Sequence, residues 1–303
     1  MRLSFIFALS LALAQQTLAD TSGDWIYRTV DQRVTITRYT GAGGNVLVPN
    51  ELDGFPVTSI GDGAFAGYTS GLLGVVLPPS VTRIGSGAFA ECAALTSLEA
   101  GSSLFSIEDA AFQNCLGLTT LSLPDSLNRI GSGAFIGCTG LSSVRLGTDL
   151  RVIGGSAFFG CEKLATLTLP DGLQSLGALT FGQCSALTSL VFLQDPSNVE
   201  ADTFDASPTT IYYLPSSAEA WSGTATFGGR PTALLAPQID ATAMTPVGFT
   251  FSWTGAGNVP MNVQRSPSLS PASWTDLAQG ITSGNFLDPN PPNSVGFYRL
   301  ALP

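Results

Sequence analysis

The chain contains no histidine and a single lysine, Lys163. Without imidazole there is no histidine general acid–base catalysis, no Ser/His or Cys/His nucleophilic site, and no zinc site that needs a histidine ligand. Schiff-base or Ser/Lys chemistry would rest on Lys163 alone. Charge is scarce too: only 11% of residues are charged, 12 basic against 22 acidic. No basic cluster marks a surface for nucleic acid or anionic lipid. No GxSxG, HExxH, P-loop or GxGxxG-after-strand signature occurs. After the leader described next, no stretch is long and apolar enough for a transmembrane helix. The C-terminus carries no hydrophobic tail, basic stop or sorting signal of the LPxTG kind. No cofactor or metal is expected.

What is present begins with residues 1–19, MRLSFIFALSLALAQQTLA. One positive charge at Arg2, an apolar run from Leu3 to Ala14, and Thr17 and Ala19 placed for cleavage make a secretory signal peptide. An uncleaved anchor is the alternative, but the run is shorter than the roughly 20 residues a bilayer span wants. The reading predicts export, to the medium or to the cell envelope and surface.

The body of the chain is a repeat. Phe65, Phe89, Phe112, Phe135, Phe158, Phe181 and Phe204 follow one another at a gap of 24 and then of 23 residues. Ile60, Ile84, Ile107, Ile130, Ile153, Leu176 and Val199 keep step with them. So does every cysteine of the chain, Cys92, Cys115, Cys138, Cys161 and Cys184, each three residues after its Phe. Files this regular specify a stacked array. The unit reads L-x-x-L-x-L-P-x-S-L-x-x-I-G-x-x-A-F-x-x-C-x-x, clearest from Leu118 to Gly140. Leu121 and Leu123 alternate with polar residues, so the unit opens on a short strand with one face inward. Stacking such units builds a parallel sheet with about 4.8 Å between coils. The return Ile-Gly-x-x-Ala-Phe is too short for a helix and is expected to be irregular or 3-10, its Phe plugging the core.

An odd number of cysteines in an exported chain leaves at least one unpaired, and the period places them in a column. A buried file of small, weakly polar groups is the expectation. Disulfides between adjacent coils would need Cβ directions that a column does not offer, and a thiolate metal file lacks histidine and C-x-x-C pairs. The redox state stays open at this stage.

Outward strand positions form the natural contact surface. One row comprises Gly74, Ser97, Thr120, Ser143, Thr166 and Ser189, the next Val76, Glu99, Ser122, Arg145, Thr168 and Val191. This face is small, hydroxylated and nearly uncharged, with Arg145 beside Glu99 as its one charge pattern. It is either plain solvated strand surface or a groove for an extracellular protein or glycan. Lacking the aromatic anchors of strong interfaces, it would bind weakly or multivalently.

The unit LxxLxLPxSLxxIGxxAFxxC resembles the BspA-type, treponemal-class leucine-rich repeat. The opening Val48 to Phe65 is similar to the way such arrays begin, and Ile211-Tyr212-Tyr213-Leu214-Pro215 with Trp221 and Phe227-Gly228-Gly229 to the way they end. The likeness covers about residues 45–235. It implies a bacterial protein that is secreted or displayed on the surface and adheres to host or matrix proteins, with no catalytic residues to carry over. Glu108 and Glu200 stand where the unit has Gly, and Thr180 and Thr203 where it has Ala, which reads as local surface variation.

The expected organisation is a signal peptide (1–19), an N-terminal β cap (20–44) with a hairpin of Trp25 to Val30 and Arg33 to Tyr39, and leucine-rich repeats in about seven coils of 23 residues (45–210). A C-terminal cap and linker (211–235) and a small β-sandwich-like module (236–303) complete it. The fold class is therefore mainly β, a leucine-rich repeat solenoid followed by a small sandwich. The module's FSWTG, VQRSPSLSPASW and FYRL segments resemble a short fibronectin-III-like domain. Three functions compete: a binding or adhesion module acting through the sheet face, a structural envelope spacer anchored or sorted by the C-terminal module, and an enzyme. The last is disfavoured, because the turn carboxylates Asp125, Asp149, Asp171 and Asp195 change register between coils and make no obvious glycosidase pair.

Overall fold

A computed structural model describes residues 19–68, 71–193, 202–219, 221, 223, 225–268, 272–292 and 296–302. Residues 1–18 of the leader, and Asp195, Val199 and Glu200, lie outside the described residues. The chain is nearly all β, a solenoid followed by antiparallel sheets. No helix among the described residues is long and apolar enough to cross a membrane.

Each unit contributes two strands, one from its alternating Leu-x-Leu part and one from a two-residue x-Ile pair. The Leu-x-Leu part gives one sheet face in three parallel segments. Gly44–Leu47, Leu72–Val76 and Ser97–Glu99 form the first, and Thr120–Ser122 with Ser143–Arg145 the second. Thr166–Leu169, Ser189–Phe192, Thr210–Tyr213 and Arg230–Leu234 form the third. The ladder thus runs on through residues assigned from the sequence to the cap and linker, and the solenoid is longer than the Phe file alone indicates.

The return is irregular as expected from its Gly onward, with its Phe in the core, but its first residues differ from the expectation. Its x-Ile pair is a second strand: Arg83–Ile84, Ser106–Ile107, Arg129–Ile130, Val152–Ile153 and Ser175–Leu176 pair in parallel register. Buried backbone must have hydrogen-bond partners, and coil-to-coil pairing supplies them without a helix. The Gly-x-x-Ala-Phe that follows is a series of turns, also tied coil to coil. The N–H groups of Phe65, Phe89 and Phe112 donate to the carbonyls of Ala88, Ala111 and Ala134 at 2.7 Å. Among the described residues the only 3-10 segment is Pro215–Ser217. The glycine after Ile is required by close approach. A Cβ on Gly131 would lie 2.6 Å from the Asp109 backbone nitrogen, and one on Gly154 2.5 Å from that of Ser132.

The departures from the unit resolve differently from the sequence reading. Glu108 is half-buried, and its Oε1 accepts from Arg83 Nε at 3.2 Å and Ser106 Oγ at 2.9 Å. Thr180 and Thr203 are fully buried rather than surface variation. The Thr180 hydroxyl lies 2.7 Å from the Gly177 carbonyl and that of Thr203 3.2 Å from the same oxygen, so each extra polar atom has an acceptor.

The seven Phe rings are fully buried and stack in one column, centroids 4.7 to 6.1 Å apart and planes within 19° of parallel. The caps extend that column. The hairpin of Trp25–Val30 and Arg33–Tyr39, turned at Asp31 and Gln32 with positive φ, places Tyr39 5.1 Å from Phe65 and Trp25 against Tyr39. At the other end Phe227 meets Phe204, with Trp221 behind it.

The five thiols are free and buried. Each Sγ reaches back one coil to a Phe carbonyl: Cys92 to Phe65, Cys115 to Phe89, Cys138 to Phe112, Cys161 to Phe135 and Cys184 to Phe158, at 3.1 to 3.4 Å. Ser207 does the same to Phe181, and the Arg230 guanidinium covers the Phe204 carbonyl. Desolvation raises every one of these thiols, Cys92 to about 11, and Cys138 and Cys184 to about 12.

The C-terminal module has two antiparallel sheets. Gly248–Thr254 lies between Gln238–Thr245 and Asn285–Asp288, and Met261–Ser266 between Thr275–Ile281 and Phe297–Ala301. Between the sheets, buried Asp288 accepts from Arg265 at 2.7 Å and from Tyr298 at 2.8 Å.

Two outcomes follow from this core. Phe135→Ala should lose about 3–5 kcal/mol, transfer energy plus cavity, read by denaturant unfolding; an unchanged midpoint would contradict the column. Unfolded thiols ionise near pH 8.5 or so, whereas the folded ones keep their protons well above that, so the native state holds more protons in between. Stability should be fully present below about pH 8.5 and fall above it, by about 1.4 kcal/mol per pH unit for each such thiol. Cys138→Ser should remove one thiol's share of that slope, and a flat profile from pH 8.5 to 11 or so would refute the account.

Candidate functional site

Strand alternation sends Val46, Val75, Leu98, Leu121, Leu167 and Leu190 inward, leaving their neighbours on the outer face. Register puts Asn45, Gly74 and Ser97 in one row, and Leu47, Val76 and Glu99 in the next. The rows continue through Thr120, Ser143 and Ser122, Arg145. They go on through Thr166, Ser189, Thr210 and Thr168, Val191, Tyr212. The structure therefore brings the sequence-derived face residues together on one surface.

It does not leave them equally accessible. Ser97, Glu99, Thr120, Ser122, Ser143 and Arg145 are exposed, and Thr166 and Thr168 half-buried. Ser189 is 0% exposed and Val191 2%, so Ser189 is out of a ligand's direct reach, against expectation. The reason is the C-terminal module, which packs on the last coils. Val191, Tyr212 and Leu235 share one apolar cluster with Phe251, Trp253, Ala256, Val259 and Met261. Tyr212 is the centre of the contact. Its hydroxyl accepts from the Asn258 N–H at 3.4 Å, and a Cβ on Gly257 would lie 2.4 Å from that hydroxyl.

Where the cover begins there is a cleft of about 400 Å³. Ser142 to Leu146, Thr166 to Thr168 and Pro170 form its floor, and Pro260 and Gly280 of the module overhang it. Arg145 is engaged locally rather than with Glu99: it donates to the Asp125 carboxylate at 3.1 Å and to the Leu123 carbonyl at 3.2 Å. Hydroxyls on this face fall into two sets. Those of Thr96, Ser142 and Thr188 are bonded to backbone carbonyls of the preceding coil. Those of Ser97, Thr120, Ser122, Ser143, Thr166 and Thr168 make no hydrogen bond to another described residue. Among the described residues no group of three or more His, Cys, Asp or Glu side chains could hold a metal ion.

A family model described as the BspA type leucine rich repeat region matches in 6 copies, over residues 58–188 and 106–228. The chain belongs to the BspA-type leucine-rich repeat family. It is similar to a leucine-rich repeat protein of T. pallidum, with 31% identity and a TM-score of 0.55, over 65% of this chain and 86% of that one. It is also similar to a leucine rich cell surface protein of Faecalibacterium prausnitzii, with 22% identity and a TM-score of 0.48, over 66% of this chain and 72% of that one. No curated protein matches the sequence. The family match ends at residue 228, so the module that roofs the cleft lies beyond the BspA-type array.

The roof residues Pro260 and Gly280 and the anchor Tyr212 escaped the sequence reading. A signal for the anchor was nonetheless present. The second outward row changes from Ser122, Arg145 and Thr168 to Val191, Tyr212 and Ala233, and an apolar run on an outer face means cover. Gly257 has φ +55°, where a side chain is strained, by about 1–2 kcal/mol. Gly257→Val, which also collides with Tyr212, should loosen the module from the BspA-type array. Limited proteolysis should then cut between residues 230 and 260 or so while the repeats stay resistant; an unchanged digest would contradict the docking.

Proposed function

We propose that the protein is exported and acts outside the cell as a binding module, holding an extracellular protein or glycan on the outer face of its Leu-x-Leu strands. Uncommitted hydroxyls in register along that face are the observation that carries this reading. The leader pattern of residues 1–19 supports export, and membership in a repeat family that is not enzymatic supports binding over catalysis. Ligand contacts fall to Ser97, Glu99, Thr120, Ser122, Ser143 and Arg145, with Thr166 and Thr168 at the cleft. The spacer reading is less well supported, since the C-terminal module packs against the array through Tyr212 instead of extending from it.

The test is attachment of the mature full-length chain to immobilised matrix protein and to glycan-coated surfaces. The double variant Thr120→Arg, Ser122→Arg adds two bulky charges to the open face without touching the core. It should weaken attachment at least about tenfold, since like or misplaced charge at an interface is costly, while Arg129→Glu on the opposite sheet should leave it unchanged. Equal attachment by all three proteins would remove the sheet face as the binding surface.

A further inference from the structure

We infer that the cleft beneath Pro260 and Gly280 receives the end of a neutral glycan chain. This rests on the reading of the sheet face as a binding surface and specifies both the ligand class and the place where the ligand stops. The cleft's volume of about 400 Å³ is in the range of small-molecule sites rather than of protein interfaces. Ser143, Thr166 and Thr168 offer hydroxyls that are not used by the protein, and each can both donate and accept, as a sugar hydroxyl requires. Pro260 presents a small apolar surface to the C–H face of a sugar ring.

Charge selects a neutral chain. Among the described residues lining the cleft Arg145 is the one charged side chain, and its guanidinium is already matched to Asp125 and the Leu123 carbonyl. The protein's net charge of −10 disfavours acidic polysaccharides. A protein segment is disfavoured by the lining, which has no aromatic side chain among its described residues to act as an anchor.

The cleft is the closed end of the face. Exposure falls from Arg145 through Thr168 to Val191 along the second row, where Val191 and Tyr212 are sealed by the module. A chain lying across the open coils therefore has to terminate there. The next hydroxyl past Thr166, that of Ser189, is buried with no hydrogen-bond partner among the described residues.

The experiment uses the mature full-length protein on an array of neutral linear hexasaccharides of glucose, mannose, galactose and N-acetylglucosamine. Each is coupled in one set through its reducing end and in another through its non-reducing end, with uronic-acid oligomers and matrix proteins alongside. At least one neutral chain should bind in one orientation only. Thr168→Trp, which fills the cleft, should weaken that binding at least about tenfold, and the near-isosteric Thr166→Val several-fold; a thermal midpoint checks that each variant is folded. Neutral-chain binding that is equal in both orientations, or that survives both cleft variants yet is lost in Thr120→Arg, Ser122→Arg, would overturn the cleft as the end site and leave the sheet face standing. Capture of matrix protein or uronic-acid oligomers alone would overturn the neutral-glycan class while keeping the binding reading. Binding to none of the probes would overturn both.

Discussion

Coil-to-coil distance is the constraint on which this molecule depends. Parallel strands must lie about 4.8 Å apart, and every file of the repeat is a solution to that spacing. Phe rings suit it because flat rings can stack in offset at this separation, and the observed centroids, 4.7 to 5.3 Å over the first four steps, follow it closely. Glycine after Ile, as at Gly131 and Gly154, lets the next backbone pass within a distance that a Cβ there would not permit. Cysteine is small, apolar enough to be buried, and still places a weak donor on the Phe carbonyl of the coil before. Its elevated pKa values are a by-product of that burial, and they make the column inert instead of reactive.

A stack has ends, and both are met with the same chemistry. Tyr39 and Trp25 continue the ring column at one end, Phe227 and Trp221 at the other. Where the cysteine file stops, Ser207 and Arg230 take over its carbonyls. Terminal units of a solenoid have to be atypical because they face solvent where inner units face a neighbour. Here they are atypical in sequence while conserving the interaction each file makes. The sheet face has an end of another kind, closed by a module packed on Tyr212, which converts an open surface into one with a covered terminus.

Much of this was legible in the residues, and the parts that were not share a cause. Period and alternation report contacts between like positions in neighbouring coils, so the Phe and Cys files, the inward Leu positions and the cap hairpin could all be read directly. The second ladder at x-Ile was missed because two residues are too few to alternate, and its hydrogen bonds lie between coils 23 residues apart. Thr180 and Thr203 were misread as surface for a related reason. A polar residue at a buried position looks exposed until its acceptor, here the Gly177 carbonyl, is known. The cleft was beyond reach altogether, since Pro260 and Gly280 have no periodic relation to Thr166 or Arg145.

Core and face consequently obey different rules. Inside, each side chain is fixed by its copy in the next coil, and Phe135 could hardly be anything else. Outside, the rows vary freely from Ser122 to Arg145 to Thr168 because no neighbour dictates them. Where that freedom ends, at Val191 and Tyr212, the change to apolar residues records a new partner, and the partner is the protein's own C-terminal module. By the same logic, the hydroxylated stretch before it is surface that the protein itself does not use. On the binding reading proposed above, the boundary between the two stretches is where an external ligand would meet both walls, at Thr166 and Thr168, outside the conspicuous files of the repeat.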